Sequence, residues 1–186
     1  GGSAVASNEL ATSAFTATHF SAAAATLTWM ILDWIFKGKP SVAGACIGAV
    51  VGLVAVTPAS GFVSMSSAVI IGIVGGAAAN IVALIRGKSQ LDDSLDVFAC
   101  HGIGGLVGAL MTGLLASKAI NSAGADGGAG QFFIQLKASL IVAVYSMVVT
   151  FVLLKVLDMV MGLRSSDKEE EEGLDQAEHG EKAYVA

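Results

Sequence analysis

Apolar stretches long enough to span a membrane, separated by short polar connections, dominate the chain. A helix needs about 20 mostly apolar residues to cross the hydrocarbon core, and it satisfies its own backbone hydrogen bonds where no water is present. On this basis the sequence predicts five transmembrane helices, at about residues 9–36, 41–56, 66–85, 97–116 and 132–163. At roughly 1.5 Å per residue the fifth is longer than the hydrocarbon core is thick, so we expect it to tilt or to project from the bilayer.

Basic residues cluster in alternate connections of this predicted bundle. The connections after the first and third helices and the segment after the fifth contain Lys37, Lys39, Arg86, Lys88 and Arg164, whereas the other two connections contain only Lys118. Because short cytoplasmic loops carry the excess of lysine and arginine, this pattern predicts an external N-terminus and a cytoplasmic C-terminus.

The composition changes sharply after residue 163. The whole chain is 54% hydrophobic and 13% charged, with a mean hydropathy of +0.74, which is typical of an integral, all-α membrane protein. The net charge of −5 arises in the last twenty residues, which hold Asp167, Glu169, Glu170, Glu171, Glu172, Asp175, Glu178 and Glu181. We predict a transmembrane helical domain over residues 1–163 and an acidic cytoplasmic tail over residues 164–186. Composition alone leaves open whether the tail is a disordered, solvated segment.

Glycines recur at four-residue spacing in three of the predicted spans. They are Gly44, Gly48 and Gly52 in the second, Gly72 and Gly76 in the third, and Gly104 and Gly108 in the fourth. Such stripes let helix backbones approach closely in a bilayer, where lipid supplies no hydrophobic drive for helices to associate. The pattern therefore predicts a compact helical bundle and, by itself, no substrate.

His101 is an ionisable side chain within the fourth predicted span. Such groups are rare inside membranes and usually face a cavity or a relay. Helical spacing would place Val97, the imidazole and Gly105 on one face, which could border a narrow passage. The alternative is a neutral histidine that is hydrogen-bonded to a backbone carbonyl in the core. A metal or haem site would need further ligands, and Cys100 points about 100° away around the helix, so we expect no metal and no cofactor.

The other polar residues favour structural roles over catalysis. Three carboxylates precede or begin the fourth helix, where they would cap its positive N-terminus: Asp92, Asp93 and Asp96. Asp33 precedes Lys37 by four residues, which is the spacing of a local ion pair. The sequence contains no phosphate-binding loop, no nucleophile elbow and no acid pair within one span, so we predict that the protein is not an enzyme.

Four stretches resemble, in the same order, segments of the ammonium transporter (Amt/MEP/Rh) family, on its bacterial Amt side. The most specific is residues 92–113, DDSLDVFACHGIGGLVGALMTG, which resembles the signature helix of the family. The others are residues 38–41 (GKPS), 52–61 (GLVAVTPASG) and 172–184 (EGLDQAEHGEKAY). Together they extend from the first predicted cytoplasmic loop nearly to the end of the chain.

The resemblance implies a trimer in which each subunit encloses a narrow hydrophobic pore. Each subunit would consist of two inverted repeats of five helices followed by an eleventh, long helix. This chain would begin at the end of the sixth helix and supply the seventh to the eleventh. It would thus hold the second inverted repeat and the final helix, so we expect it to be part of a protein about twice as long.

By the same resemblance, four residues acquire roles. His101 corresponds to the second histidine of a mid-pore pair, and Val97 to its neighbour in the pore wall. Ser3 corresponds to a serine that helps to bind ammonium at the external mouth, and Thr57 to a threonine near the conducting face. The first histidine of the pair, the aromatic gate, the external tryptophan and the acidic residue of the recruitment site have no counterpart among these 186 residues.

The implied function is ammonium transport across the cell membrane. Ammonium would bind at the external mouth, and ammonia would pass His101 with or without a separately relayed proton. The implied partners are the lipid bilayer, the other subunits of a homotrimer and a PII-class regulatory protein at the cytoplasmic face, with residues 173–184 of the tail ordered. We expect no nucleic-acid partner. The alternatives are an ammonium sensor that acts through its tail, and a partial chain that does not conduct.

Overall fold

In the computed structural model, which describes residues 1–182, the chain divides into two compact units, Gly1–Leu140 and Ile141–Ala186. The last four residues, including Tyr184 of the predicted ordered segment, lie outside the described residues. Within 1–182 all regular structure is helical, which confirms the all-α class. The helices are α1 (Glu9–Lys37), α2 (Val42–Val56), α3 (Met65–Arg86), α4 (Gly104–Leu115), α5 (Ala129–Met161), α6 (Asp167–Glu172) and α7 (Leu174–His179). A 3₁₀ turn, Gly2–Ala4, precedes α1, and a π-helical segment, Phe98–Ile103, leads directly into α4.

Short polar side chains set the starts of the first three helices. In each, the residue before the helix accepts a hydrogen bond from a backbone N–H three positions later, and these residues are Asn8, Ser41 and Ser64. Such caps satisfy one of the backbone donors that a helix N-terminus leaves free. The end of α1 is fixed by Gly38, which adopts a left-handed φ of 80° that glycine accepts without steric cost.

All five predicted spans appear as helices. By length and composition, three helical stretches in residues 1–182 can cross a membrane: Met65–Arg86, Phe98–Leu115 and Ala129–Met161. The second predicted span, Val42–Val56, is apolar but has only 15 residues. The first predicted span, α1, is not among the three stretches and remains a prediction from the sequence. None of the residues in α5 is buried by the rest of the chain, so its apolar surface is the part of the chain most available to lipid or to other protein.

The striped glycines lie where helix backbones meet. In the first unit α1 packs against α2 and α3, and both of these pack against α4. A methyl group on Gly52 would lie 2.5 Å from the Ser21 carbonyl oxygen and 2.6 Å from Ala22 Cα, and one on Gly48 would lie 2.7 Å from Trp29 Cβ. The close packing that the glycine stripes predict is therefore confirmed for α1 to α4.

The second unit contains the acidic tail, which forms α6 and α7. A capping box begins α6: the Ser166 hydroxyl accepts from the Glu169 backbone N–H, and the Glu169 carboxylate accepts from the Ser166 N–H at 2.7 Å. Hydrogen bonds from the Ser166 hydroxyl and backbone to this carboxylate lower the pKa of Glu169 below its usual value. Residues 167–179 are thus largely helical in this structure.

Replacement of Gly108 by alanine tests the close helix contact. Its new methyl group would lie 3.0 Å from Ala55 Cα and closer still to the Ala55 carbonyl. Overpacking of this kind costs about 1–3 kcal/mol, so we expect a clear drop in the thermal unfolding temperature of the detergent-solubilised protein. Gly105→Ala is the matched control, because its nearest neighbour would be Val54 Cγ1 at 3.9 Å. Equal unfolding temperatures for the two variants would contradict the contact.

Candidate functional site

A cavity of about 370 Å³ opens at one end of the first unit, and we call it the hydroxyl cavity. It lies between the 3₁₀ turn, α1, the turn that joins α2 to α3, and the loop after α4. Its polar lining consists of Ser3, Thr18, Thr57, Ser60 and Asn121, and its apolar lining includes Leu10, Ala14 and Phe62. Four separate parts of the chain therefore supply its hydroxyl and amide groups.

The hydroxyl protons of this cavity are largely committed to the protein. Thr57 Oγ1 donates to the Leu53 carbonyl at 2.7 Å, and Thr18 Oγ1 donates to the Ala14 carbonyl at 2.8 Å. Ser60 Oγ lies 3.0 Å from Thr18 Oγ1. Since the Thr18 proton is already used, Ser60 is the donor in that pair. Each hydroxyl has one proton and two lone pairs, so Thr18 and Thr57 offer only acceptor capacity to the cavity.

Of the four residues with predicted roles, the structure brings two together. Ser3 and Thr57 line the same cavity, although they are far apart in sequence. Sequence reasoning missed Thr18, Ser60, Phe62 and Asn121. The only signal for any of them was the motif at residues 52–61, which contains Ser60 and ends next to Phe62.

His101 and Val97 lie elsewhere, at the start of the helical run that continues into α4. His101 is exposed on the surface of the first unit and forms no hydrogen bond within the described residues, which therefore give no support to the alternative of a core histidine bonded to a carbonyl. Val97 is 51% exposed. Between them, Cys100 is buried against Trp29 and its neighbours in α2 and α3.

The backbone around His101 is π-helical, so the expectation of an α-helix from the start of the fourth span is wrong. The Gly104 N–H bonds to the Ala99 carbonyl, five residues earlier. A π-helical turn holds one more residue than an α-helical turn and is often found at functional sites. The simple stacking of Val97, His101 and Gly105 that was inferred from α-helical spacing therefore does not apply across this segment.

Carboxylates fix the start of this helical run, as the sequence predicted. Asp93 accepts from the backbone N–H groups of Val97 at 2.8 Å and of Phe98 at 3.0 Å. Asp96 does not act as a simple cap, because its carboxylate pairs with Arg86 Nη2 at 2.6 Å. Asp92 accepts a hydrogen bond from the Ser94 hydroxyl at 3.3 Å.

A second polar network lies near the other end of α1 from the hydroxyl cavity. The predicted ion pair is confirmed, with Lys37 Nζ 2.7 Å from Asp33 Oδ1. Sequence reasoning did not predict that Asp33 is 1% exposed or that it also accepts from Asn80 Nδ2, on α3, at 3.1 Å. Since a buried carboxylate is tolerated only when it is paired, this network links α1 to α3.

Within residues 1–182, no three His, Cys, Asp or Glu side chains are placed to hold a metal ion. Cys46 and Cys100 are free thiols, the first exposed and the second buried. The hydroxyl cavity and the surface around His101 are the two places where predicted site residues occur.

Comparisons with known proteins give a consistent result. The model of the Ammonium Transporter Family matches residues 1–184. An ammonium transporter of Bacillus subtilis (strain 168) is 44% identical over 188 residues, which cover 98% of this chain and 46% of that protein. The crystal structure of Saccharomyces cerevisiae Mep2 has a TM-score of 0.83 at 35% identity, over 90% of this chain and 40% of that one. A structure described as a sensor Amt protein has a TM-score of 0.86 at 28% identity, over 95% of this chain and 44% of that one.

The apolar helices and these matches define a multi-pass membrane protein of a transporter class. The chain belongs to the ammonium transporter family, and it spans less than half the length of each of the relatives described above. That family consists of transporters, which confirms the prediction that the protein is not an enzyme.

Replacement of Asp93 by alanine tests the cap before the His101 segment. The change leaves two backbone N–H groups without their acceptor, so we expect a loss of about 1–2 kcal/mol in stability. Asp92→Ala is the control, since a surface change away from such features stays within about 0.5 kcal/mol. Thermal unfolding of both purified variants measures the difference, and an equal effect of the two changes would show that Asp93 is no more important than its neighbour.

Proposed function

We propose that the natural protein containing this chain transports ammonium across the cell membrane as a homotrimer. The family match over residues 1–184 is the observation that carries this proposal. The hydroxyl cavity supports it, because an ammonium ion has only donor protons and the cavity offers acceptors.

The proposed orientation places the hydroxyl cavity outside the cell. The cavity lies at the start of α1 and the end of α2, whereas Lys37 and Arg86 end α1 and α3 at the opposite end of these helices. The positive-inside rule puts the basic end in the cytoplasm. Under this rule the residues after α5, including the acidic tail, are cytoplasmic too.

Ammonium capture would rest on neutral oxygen atoms. Ser3 and Thr57 would accept hydrogen bonds from the ion, and the Phe62 ring would add a cation–π attraction. A neutral site of this kind holds the ion without trapping it. Transfer of a proton from the bound ion to water at this point would then deliver ammonia to the pore.

Passage would occur as ammonia, because a charged ion pays a large desolvation cost in a low-dielectric pore. We assign His101 and Val97 to the wall of this pore. The exposed imidazole is free to accept and donate hydrogen bonds, and its two ring nitrogens could also pass a proton along a separate relay. Whether the proton moves along this relay or re-joins ammonia inside determines whether transport carries net charge.

Replacement of His101 by alanine tests this role in the complete natural protein. We expect ammonium uptake and ammonium-dependent current to fall at least about tenfold, the factor that corresponds to one strong hydrogen bond. His19→Ala is the matched control, because His19 is also exposed and its ring is hydrogen-bonded to the Phe15 carbonyl of its own helix, at 3.1 Å. Normal uptake and current in His101→Ala would contradict the proposed role.

Regulation through the tail is the second candidate function. Two observations favour it: a sensor Amt protein is among the similar structures, and the acidic tail forms α6 and α7. We propose that residues 164–186 contribute to binding of a PII-class regulatory protein at the cytoplasmic face. The tail would then adjust conduction without forming part of the pore.

Deletion of residues 164–186 separates conduction from regulation. If the pore lies in residues 1–163, we expect roughly half or more of the uptake rate to remain, while binding of the PII-class protein is lost in a pull-down assay. Glu171→Gln serves as the control, since it changes one exposed tail carboxylate and should leave both readouts unchanged. Loss of uptake with intact partner binding would favour a tail that serves conduction instead.

A further inference from the structure

The π-helical segment around His101 begins at a residue with an unusual backbone conformation. Asp96 has a φ of 52°, in the left-handed region that few residues other than glycine occupy. Such a conformation persists only where the surroundings hold it in place. The Asp96 carbonyl accepts a hydrogen bond from the Cys100 N–H at 2.9 Å, so the backbone of Asp96 also takes part in the start of the helical run.

Arg86, the last residue of α3, holds Asp96 from another helix. Arg86 Nη2 lies 2.6 Å from Asp96 Oδ1, and the two side chains are only 23% and 19% exposed. A charge-assisted bond in such a partly buried position is stronger than an exposed ion pair. Asp93 accepts from the N–H groups of Val97 and Phe98, the next two residues. The Asp96 carboxylate is thus tied to Arg86 at the left-handed turn, and the Asp93 carboxylate caps the start of the helical run.

The starting register of this segment determines which way its side chains point. In the π-helical form Cys100 is buried against Trp29, Val51 and Ala79, and His101 is exposed. If the segment changed to α-helical hydrogen bonding, the turn would hold one residue fewer. The residues on one side of it would then rotate by about 100° about the helix axis. Cys100 would then leave its buried site, and His101 would change direction.

We propose that Arg86 is a positioning residue for His101. Through its ion pair with Asp96, it holds the left-handed turn that keeps the segment π-helical, and thereby sets the direction of the imidazole. The relevance of that direction to transport rests on the proposed pore role of His101. The backbone effect itself does not depend on that role, and it can be measured separately.

The test combines uptake with modification of Cys100 by N-ethylmaleimide. Both are measured in the complete natural protein with Cys46→Ser, which removes the exposed thiol of this chain. The informative variants are Arg86→Gln and Asp96→Asn. Asparagine tolerates a left-handed φ at least as well as aspartate does, so Asp96→Asn removes the charge and retains the backbone preference. It also provides a second test if Arg86→Gln fails to fold.

We expect both variants to raise the rate of Cys100 modification roughly tenfold, the factor for loss of one charge-assisted hydrogen bond, and to lower uptake. The double variant should be no worse than either single one, because both remove the same interaction. Arg86→Lys retains the charge and should restore most of the protection. Lys88→Gln is the matched control, since Lys88 forms no ion pair within the described residues.

The two readouts separate this inference from the proposed function. Modification of Cys100 at the control rate in both Arg86→Gln and Asp96→Asn would overturn the positioning role, whatever happens to uptake. Faster modification with normal uptake, together with normal uptake in His101→Ala, would support the positioning role and refute the proposed pore role of His101.

Discussion

At Ser21, α1 comes into backbone contact with two helices at once, and the packing of the first unit depends on this crossing. The Ser21 hydroxyl is buried and donates to the Gly52 carbonyl, on α2, at 2.8 Å. Its own carbonyl faces the bare Cα atoms of Gly52 and Gly72, so that α2 and α3 both approach to backbone distance. An interhelical hydrogen bond in a membrane is worth only about 0.6 kcal/mol on average. The larger contribution is therefore the van der Waals contact that the absent side chains permit.

This crossing also places the polar groups at the two ends of the unit. With α1, α2 and α3 in contact near the middle of α1, the start of α1 meets the turn after α2, where the Thr18 and Ser60 hydroxyls pair. The other end of α1 meets the end of α3, where Asp33 reaches Asn80. Each end thus links helices through polar side chains, although Asp33 Oδ2 and Asn80 Oδ1 have no hydrogen-bond partner within the described residues. The small residues between the two ends provide a contact that has no charge.

The sequence predicted the elements well and their polar contacts poorly. With the π-helical segment and α4 counted as one stretch, hydropathy located every long helical stretch to within three residues at each end; the largest difference is Ala129–Met161 against the expected 132–163. Glycine spacing predicted the close packing, because a bilayer gives such stripes one main use. The π-helical segment was missed because its register depends on Arg86, ten residues before Asp96, and hydropathy contains no information about that pair. The hydroxyl cavity was found only through Ser3 and Thr57, since its other polar residues come from parts of the chain that only the fold brings together.

The side chains that line the hydroxyl cavity are uncharged, whereas two ion pairs lie at the opposite end of the first unit. A carboxylate in the hydroxyl cavity would hold ammonium more strongly, but a site for conduction must also release the ion. The neutral acceptors of Thr18 and Thr57 have their protons fixed by the Ala14 and Leu53 carbonyls, so they favour a donor-only ion over water to a modest extent. At the opposite end of these helices, Lys37 and Arg86 are each paired with a carboxylate. An ammonium ion formed at that end would meet the carboxylates of Asp33 and Asp96 already paired with Lys37 and Arg86, which weakens the attraction of those two carboxylates for the ion.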